Sequence, residues 1–226
     1  MVSWKLKVEG KLAHSGFPNH GCNAIELAHD CLDKIQKSFY ASFPKHEKES
    51  LYNFGSSSSM KPTRMSSSQG TLNQIPAHCQ IEGDIRLSPF YSMKDVQKVI
   101  SDTVDSFDLS TLADPVFRGP DSKYGMGKVS FEWLSTPIEG LACDLESKGH
   151  LALCQATKEV FGHVKPIADL GTLPLVADLK NNGFDVQTVG YGIEELYHND
   201  NEACRLSDFS KGFRVLTRIL DLLNQQ

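Results

Sequence analysis

The sequence predicts an α/β fold in two parts, and two observations carry that prediction. Over residues 1–138, period-two and helical apolar patterns follow one another as strand, helix, strand, strand, helix, strand, the order of a ferredoxin-like sandwich. Residues 139–226 then show helix, strand, loop and helix signals, with too few strands to close a doubly wound sheet.

The elements follow in order. Residues 4–12 alternate apolar and charged side chains, the pattern of a half-buried strand. After the turn-rich stretch His14 to Gly21, Asn23 with Glu26 three residues on marks a helix start. Ile25, Ala28, Leu32, Ile35 and Phe39 form the buried face of that helix, and Pro44 stops it. Leu51 to Met65, with two Ser runs, reads as an extended edge strand with a polar face. Cys79, Ile81, Gly83 and Ile85 lie on one side of the next strand. Ser92 caps a second helix, whose face is Met93, Val96, Ile100 and Phe107. A Gly-, Pro- and Asp-rich loop over 108–127 leads to a final strand, Val129 to Leu134.

In the second part, Leu153, Ala156, Val160 and Phe161 give a helix stopped by Gly162. A turn at Gly171–Pro174 opens a short helix, Leu175 to Asn181. Phe184 to Val189 reads as a buried strand. Ser207 caps a last helix with the face Phe209, Phe213, Leu216, Leu220 and Leu223. A sheet with so few neighbours leaves apolar surface uncovered, so this part is expected to be half of a domain.

Composition narrows the function. Hydrophobic residues make up 40% and charged residues 23% of the 226, and the formal charge of −5 leaves no electrostatic footprint for nucleic acid. No apolar run reaches the length of a membrane span. Met1 to Lys7 has no apolar signal-peptide core, and strand pattern begins at once, so the start is expected to be internal to a longer protein, with organellar targeting left open. The six cysteines show no CxxC spacing and sit in apolar segments, which predicts buried, reduced thiols and a cytoplasmic location.

Two segments carry chemistry. Lys11-Leu-Ala-His-Ser-Gly-Phe-Pro18, with Gly21 and Asn23-Ala24, resembles the lid motif of the M20 metallopeptidases, and Asn73-Gln-Ile-Pro76 followed by Gly83-Asp-Ile-Arg86 resembles that lid's second motif. His198-Asn-Asp-Asn-Glu202 resembles the family's last metal-ligand motif. Met60-Lys-Pro-Thr63, Gly162-His-Val-Lys-Pro166 and Gly183-Phe-Asp-Val-Gln-Thr188 are similar to the plant-type acetylornithine deacetylase branch. The likeness runs in order along essentially the whole chain. It implies a ferredoxin-like dimerisation lid over 1–138 and the C-terminal part of a catalytic domain over 139–226.

The resemblance also implies roles. His14 is similar to the lid histidine that crosses to the partner's active site and stabilises the tetrahedral oxyanion. Asn73 and Arg86 match positions that hold the substrate, a guanidinium being apt for a carboxylate. Gly171 and Thr172 match a turn near the substrate, and His198 a metal ligand. On spacing alone the same residues read as a turn histidine bonded to backbone, a strand-face ion pair and an ordinary helix cap. Glu194 and Glu195 read as solvated loop charges.

The implied function is metal-assisted removal of the acetyl group of N-acetyl-L-ornithine, in arginine biosynthesis, by a lid-to-lid homodimer with zinc or cobalt in the complete enzyme. The remaining ligands are expected before residue 1, since one imidazole cannot retain zinc. Alternatives are another M20 aminoacylase or dipeptidase, and a non-catalytic interaction fragment that pairs with complete subunits. Pull-down with the complete enzyme and an activity titration separate the last reading from the enzyme readings, and the most informative single observation is whether an in-frame His-x-Asp lies upstream of Met1.

Overall fold

The structure is a computed structural model and describes residues 1–52, 57–109, 127–164, 166–170, 175–196 and 199–225. The chain forms two compact units. One comprises Met1–Glu47, Ser56–Gly140 and Leu170–Thr172, and the other Lys48–Gly55, Leu141–Asp169 and Leu173–Gln226.

The first unit is built on four long strands: β1 (Val2–Glu9), β3 (Ser59–Ser67), β5 (His78–Arg86) and β6 (Lys128–Trp133). They lie in the order β3-β5-β1-β6, with antiparallel neighbours throughout. Together with α1 (Ala24–Ser42) and α2 (Met93–Asp105) this is the ferredoxin-like arrangement expected from the element order. Two short strands, β2 (Ala13–His14) and β4 (Gln74–Ile75), pair beyond the end of the main sheet.

Alternation decides which face is buried. Val2, Trp4, Leu6 and Val8 of β1 and Cys79, Ile81 and Ile85 of β5 all join one core with the two helices. The intervening residues form a polar face laced by Lys5–Glu82 (3.0 Å), Arg64–Glu82 (3.0 Å) and Lys7–Glu132 (2.6 Å). The Lys5 hydrogen bond is the main cause that holds the Glu82 carboxyl below its ordinary range.

The Asn23 side chain accepts from the Ile25 amide at the start of α1. Its buried stripe is Ala24, Leu27, Ala28, Cys31, Leu32, Ile35 and Phe39. Ile25, expected inside, is 38% exposed, because it lies next to the first helical residue and one position off that stripe. The edge strand also differs from expectation. It begins at Ser59 rather than Leu51, which ends a short 3-10 turn, and it bulges between Pro62 and Arg64. Phe107 lies beyond the end of α2 and is only partly buried.

In the second unit, β7 (Leu141–Ala142) pairs with β8 (Ala168–Asp169), and of the helices α3 (Lys148–Phe161), α4 (Val176–Asn181) and α5 (Leu206–Asn224), α3 packs on α5. Gly162 stops α3 in the left-handed conformation, φ +84°. Three expectations fail here. Phe184 to Val189 forms no strand, and Phe184 and Val189 are exposed. Ser207 lies inside α5, whose N-cap is Arg205 without a side-chain bond. Of the six cysteines, Cys143 and Cys154 are half-buried and Cys204 is exposed. The apolar face of α5 is open: Phe209, Phe213, Leu216 and Leu220 are each more than half exposed, while only Gly212 and Val215 of that helix are buried.

Candidate functional site

The end of the main sheet where β1 leaves and β5 enters carries a closed loop. Lys11 and Cys22 exchange backbone hydrogen bonds at 2.8 and 3.0 Å, so residues 11–22 are pinched at the base. The Gly10 amide donates to the Ala77 carbonyl and the Ala24 amide to that of Pro76, which ties both legs to the chain entering β5. Pro18 opens a single 3-10 turn inside the loop.

His14 sits on the outer limb, in β2 opposite Gln74 of β4. The neighbouring turn, residues 71–74, is closed by the Gln74 amide donating to the Thr71 carbonyl (3.0 Å) and the Thr71 amide donating to the Gln74 side chain (3.1 Å). The Ser15 amide donates to the Asn73 carbonyl (2.9 Å) and fastens the turn to the loop. As a result Asn73 Nδ2 lies 3.5 Å from His14 Nε2, both side chains being exposed. The Gly16 amide donates to His14 Nδ1 at 3.0 Å, and the Phe17 ring lies tilted beside the imidazole. Two sequence-predicted residues, 59 positions apart, are thus brought together.

Arg86 is placed elsewhere. It ends β5, whereas Asn73 lies before that strand begins, and β5 runs nine residues from His78 to Arg86. The strand therefore separates the two positions by roughly 26 Å within one chain. Arg86 also makes the strand-face ion pair read from spacing alone, with Asp84 at 2.7 Å. Gly171, Thr172 and His198 lie outside the described residues. Glu195 is exposed in a short 3-10 turn.

The second unit contains a polar cluster to which the sequence assigned no role. His150, 6% exposed, has Nδ1 3.2 Å from Gln187 Oε1 and Nε2 3.2 Å from Cys154 Sγ, while Cys143 Sγ is 3.5 Å from Nδ1. Burial pushes both thiols up, away from the thiolate that a nucleophile or metal ligand requires. Asp185 braces the cluster from outside. Burial works to raise its carboxyl, but bonds from Ser147, Gln187 and the Gly149 amide hold it below its ordinary value. This is hydrogen-bonded packing. Among the described residues no group of three or more His, Cys, Asp or Glu side chains is arranged to hold a metal ion.

Sequence reasoning missed Thr71 and the Gly16 amide, which touch Asn73 and His14. No spacing rule marks a hydroxyl two residues before an asparagine, and a backbone N–H leaves no sequence trace.

The family model for the peptidase dimerisation domain matches residues 1–111. The chain is 45% identical to an acetylornithine deacetylase of Arabidopsis thaliana, covering 100% of this chain and 52% of that protein. It is 42% identical to an acetylornithine deacetylase of Dictyostelium discoideum, covering 99% and 52%. The chain therefore spans about half the length of the curated relatives it matches. Among solved structures, aminopeptidase PepT from Bacillus cereus shares the fold, with a TM-score of 0.64 at 16% identity over 99% of this chain and 52% of that one. With the dimerisation domain in its first half and these relatives along its whole length, the chain belongs to the M20 family of metallohydrolases.

Proposed function

We propose that this chain is the lid-bearing part of a metal-dependent amide hydrolase that removes the acetyl group of N-acetyl-L-ornithine. The observation behind this reading is the pairing of His14 with Asn73 at one end of β5 and the position of Arg86 at the other. A separation equal to the whole strand is longer than N-acetyl-L-ornithine, so one lid cannot offer all three side chains to one substrate. A two-fold dimer resolves this. If the β3 edges of two copies pair antiparallel, the His14 end of one sheet lies beside the Arg86 end of the other.

In that dimer, His14 and Asn73 of one copy donate to the acyl oxygen as negative charge develops on it. Such donors lower the barrier because they act more strongly on the transition state than on the substrate. The Arg86 guanidinium of the other copy binds the substrate's carboxylate. The described residues alone form no group arranged to hold a metal. In the complete enzyme His198, with further ligands from the length of the relatives that this chain does not span, would hold zinc or cobalt, which would activate a water for attack on the acyl carbon. Gly171 and Thr172 are the further residues assigned to substrate binding. The open apolar face of α5 supports the view that the second unit packs against that remaining length.

Subunit complementation tests the reading. In the complete enzyme, His14→Ala lowers kcat by roughly a hundredfold to a thousandfold, the usual effect of losing one oxyanion donor, with metal content unchanged. Mixing the His14→Ala and Arg86→Ala enzymes restores part of the activity, because each mixed dimer keeps one intact site. No recovery on mixing, or loss of metal from His14→Ala, overturns it. Turnover of N-acetyl-L-methionine or a dipeptide in place of N-acetyl-L-ornithine would reassign the substrate.

A further inference from the structure

The geometry points to Gly16 and Thr71 as positioning residues that turn the N–H groups of His14 and Asn73 toward one shared oxygen; the catalytic meaning of this rests on the function proposed above.

Two hydrogen bonds fix the directions. The Gly16 amide is a donor only, and at 3.0 Å from His14 Nδ1 it requires an unprotonated lone pair there. The neutral imidazole then carries its proton on Nε2, the atom that faces Asn73. The Asn73 amide is oriented from its other side. Its Oδ1 lies 2.5 Å from the Thr71 hydroxyl, a length proper to O–H···O and too short for N–H···O, so oxygen faces Thr71 and nitrogen faces His14.

The consequence concerns the 3.5 Å gap between His14 Nε2 and Asn73 Nδ2. With Nε2 protonated, both atoms are donors and they do not bond each other. Two donors at that spacing can each lie about 2.9 Å from a single oxygen set between and outside them, the geometry of a two-donor oxyanion site. Neither orientation is left to the substrate. A backbone amide selects the tautomer, and a hydroxyl on the turn that Asn73 shares selects the face of the amide. Thr71 and Asn73 share a turn that Gln74 closes, so the hydroxyl keeps its place without touching substrate.

The test is nuclear magnetic resonance on the intact 226-residue chain labelled with 15N. A through-hydrogen-bond coupling between the Gly16 nitrogen and His14 Nδ1 is expected, with His14 wholly in the Nε2–H form while exposed His29 and His78 report the ordinary tautomer mixture. A His14 that shows the Nδ1–H form, or that mixture, overturns the assignment whatever the enzyme does. In the complete enzyme, Thr71→Val should lower kcat about tenfold with KM within twofold, and Thr71→Ser should restore it; kcat within twofold of the parent for Thr71→Val overturns the positioning role. His14→Ala with undiminished kcat would instead sink the function proposed above, while the coupling and tautomer would still decide the geometry.

Discussion

The indole of Trp4 lies against Gly83, its cross-strand partner on β5, so closely that a Cβ on Gly83 would sit 2.6 Å from the ring and 2.0 Å from the Lys61 carbonyl on β3. Gly83 is thus the point where the edge strand and the largest core side chain both approach one backbone. It opens the Gly-Asp-Ile-Arg segment, and its reason for being glycine is packing. Gly83→Ala is expected to destabilise the first unit by about 3 kcal/mol, at the upper end of overpacking costs. Urea unfolding followed by tryptophan fluorescence measures it, and an unchanged midpoint would mean that β3 is not held against Gly83.

Every residue of the buried core cluster lies between Val2 and Ile100, and the hydrophobic residues packed on it end at Trp133. Residues 1–138 alone should therefore unfold cooperatively, with native circular dichroism. Residues 139–226 alone should aggregate, since the open α5 face has nothing to cover it. A soluble, folded 139–226 beside an unfolded 1–138 would reverse this domain division.

The exposed run of β3 from Lys61 to Ser67 is the surface expected to join two lids. Met65, 53% exposed, lies on that edge. Met65→Lys places like charges on paired edges and should shift the chain from dimer toward monomer in sedimentation at tens of micromolar. An undiminished dimer would exclude this edge.

Thiol labelling should be ordered by burial. Cys204 is exposed and reacts first with a maleimide under native conditions. Cys31 reacts last, because burial pushes its thiol up to about 12 and leaves almost no thiolate. Mass spectrometry of partly labelled chain gives the order. Early modification of Cys31 would show that α1 opens readily.

Acid should loosen the start of α3 through Asp185. Its carboxyl is held below the ordinary 3.8, so the folded state gains stability from it above that pH and loses the gain as pH falls through the lower folded value. Asp185→Ala removes the acceptor of the Gly149 amide and should cost about 1 kcal/mol, as lost helix caps do. Amide exchange at residues 149–151, compared at pH 6 and pH 3, checks both statements. Equal protection of parent and variant at pH 6 would show that the contact is idle.

Legibility in the sequence followed the source of each signal. β1, β5, α1 and α2 were readable because each buries a regular stripe, and a stripe is periodic. The start of β3 was not, since Ser runs have no apolar period and an edge strand needs none. Phe184 to Val189 alternates like a strand, yet a strand exists only with a neighbour, and no described residue pairs with it. At the site, His14 and Asn73 were visible only through motif resemblance. Their meeting depends on β2 pairing with β4, a contact that two residues on each side cannot announce.

The pinch between Lys11 and Cys22 has a kinetic consequence. A twelve-residue loop that swung freely would have to be immobilised each time a substrate bound, and that ordering would subtract from binding energy. Here the loop is closed at its neck, fastened to the Asn73 turn and seated against Ala77 before any ligand arrives. The conformational entropy of aiming His14 is lost once, when the chain folds, and not at every turnover.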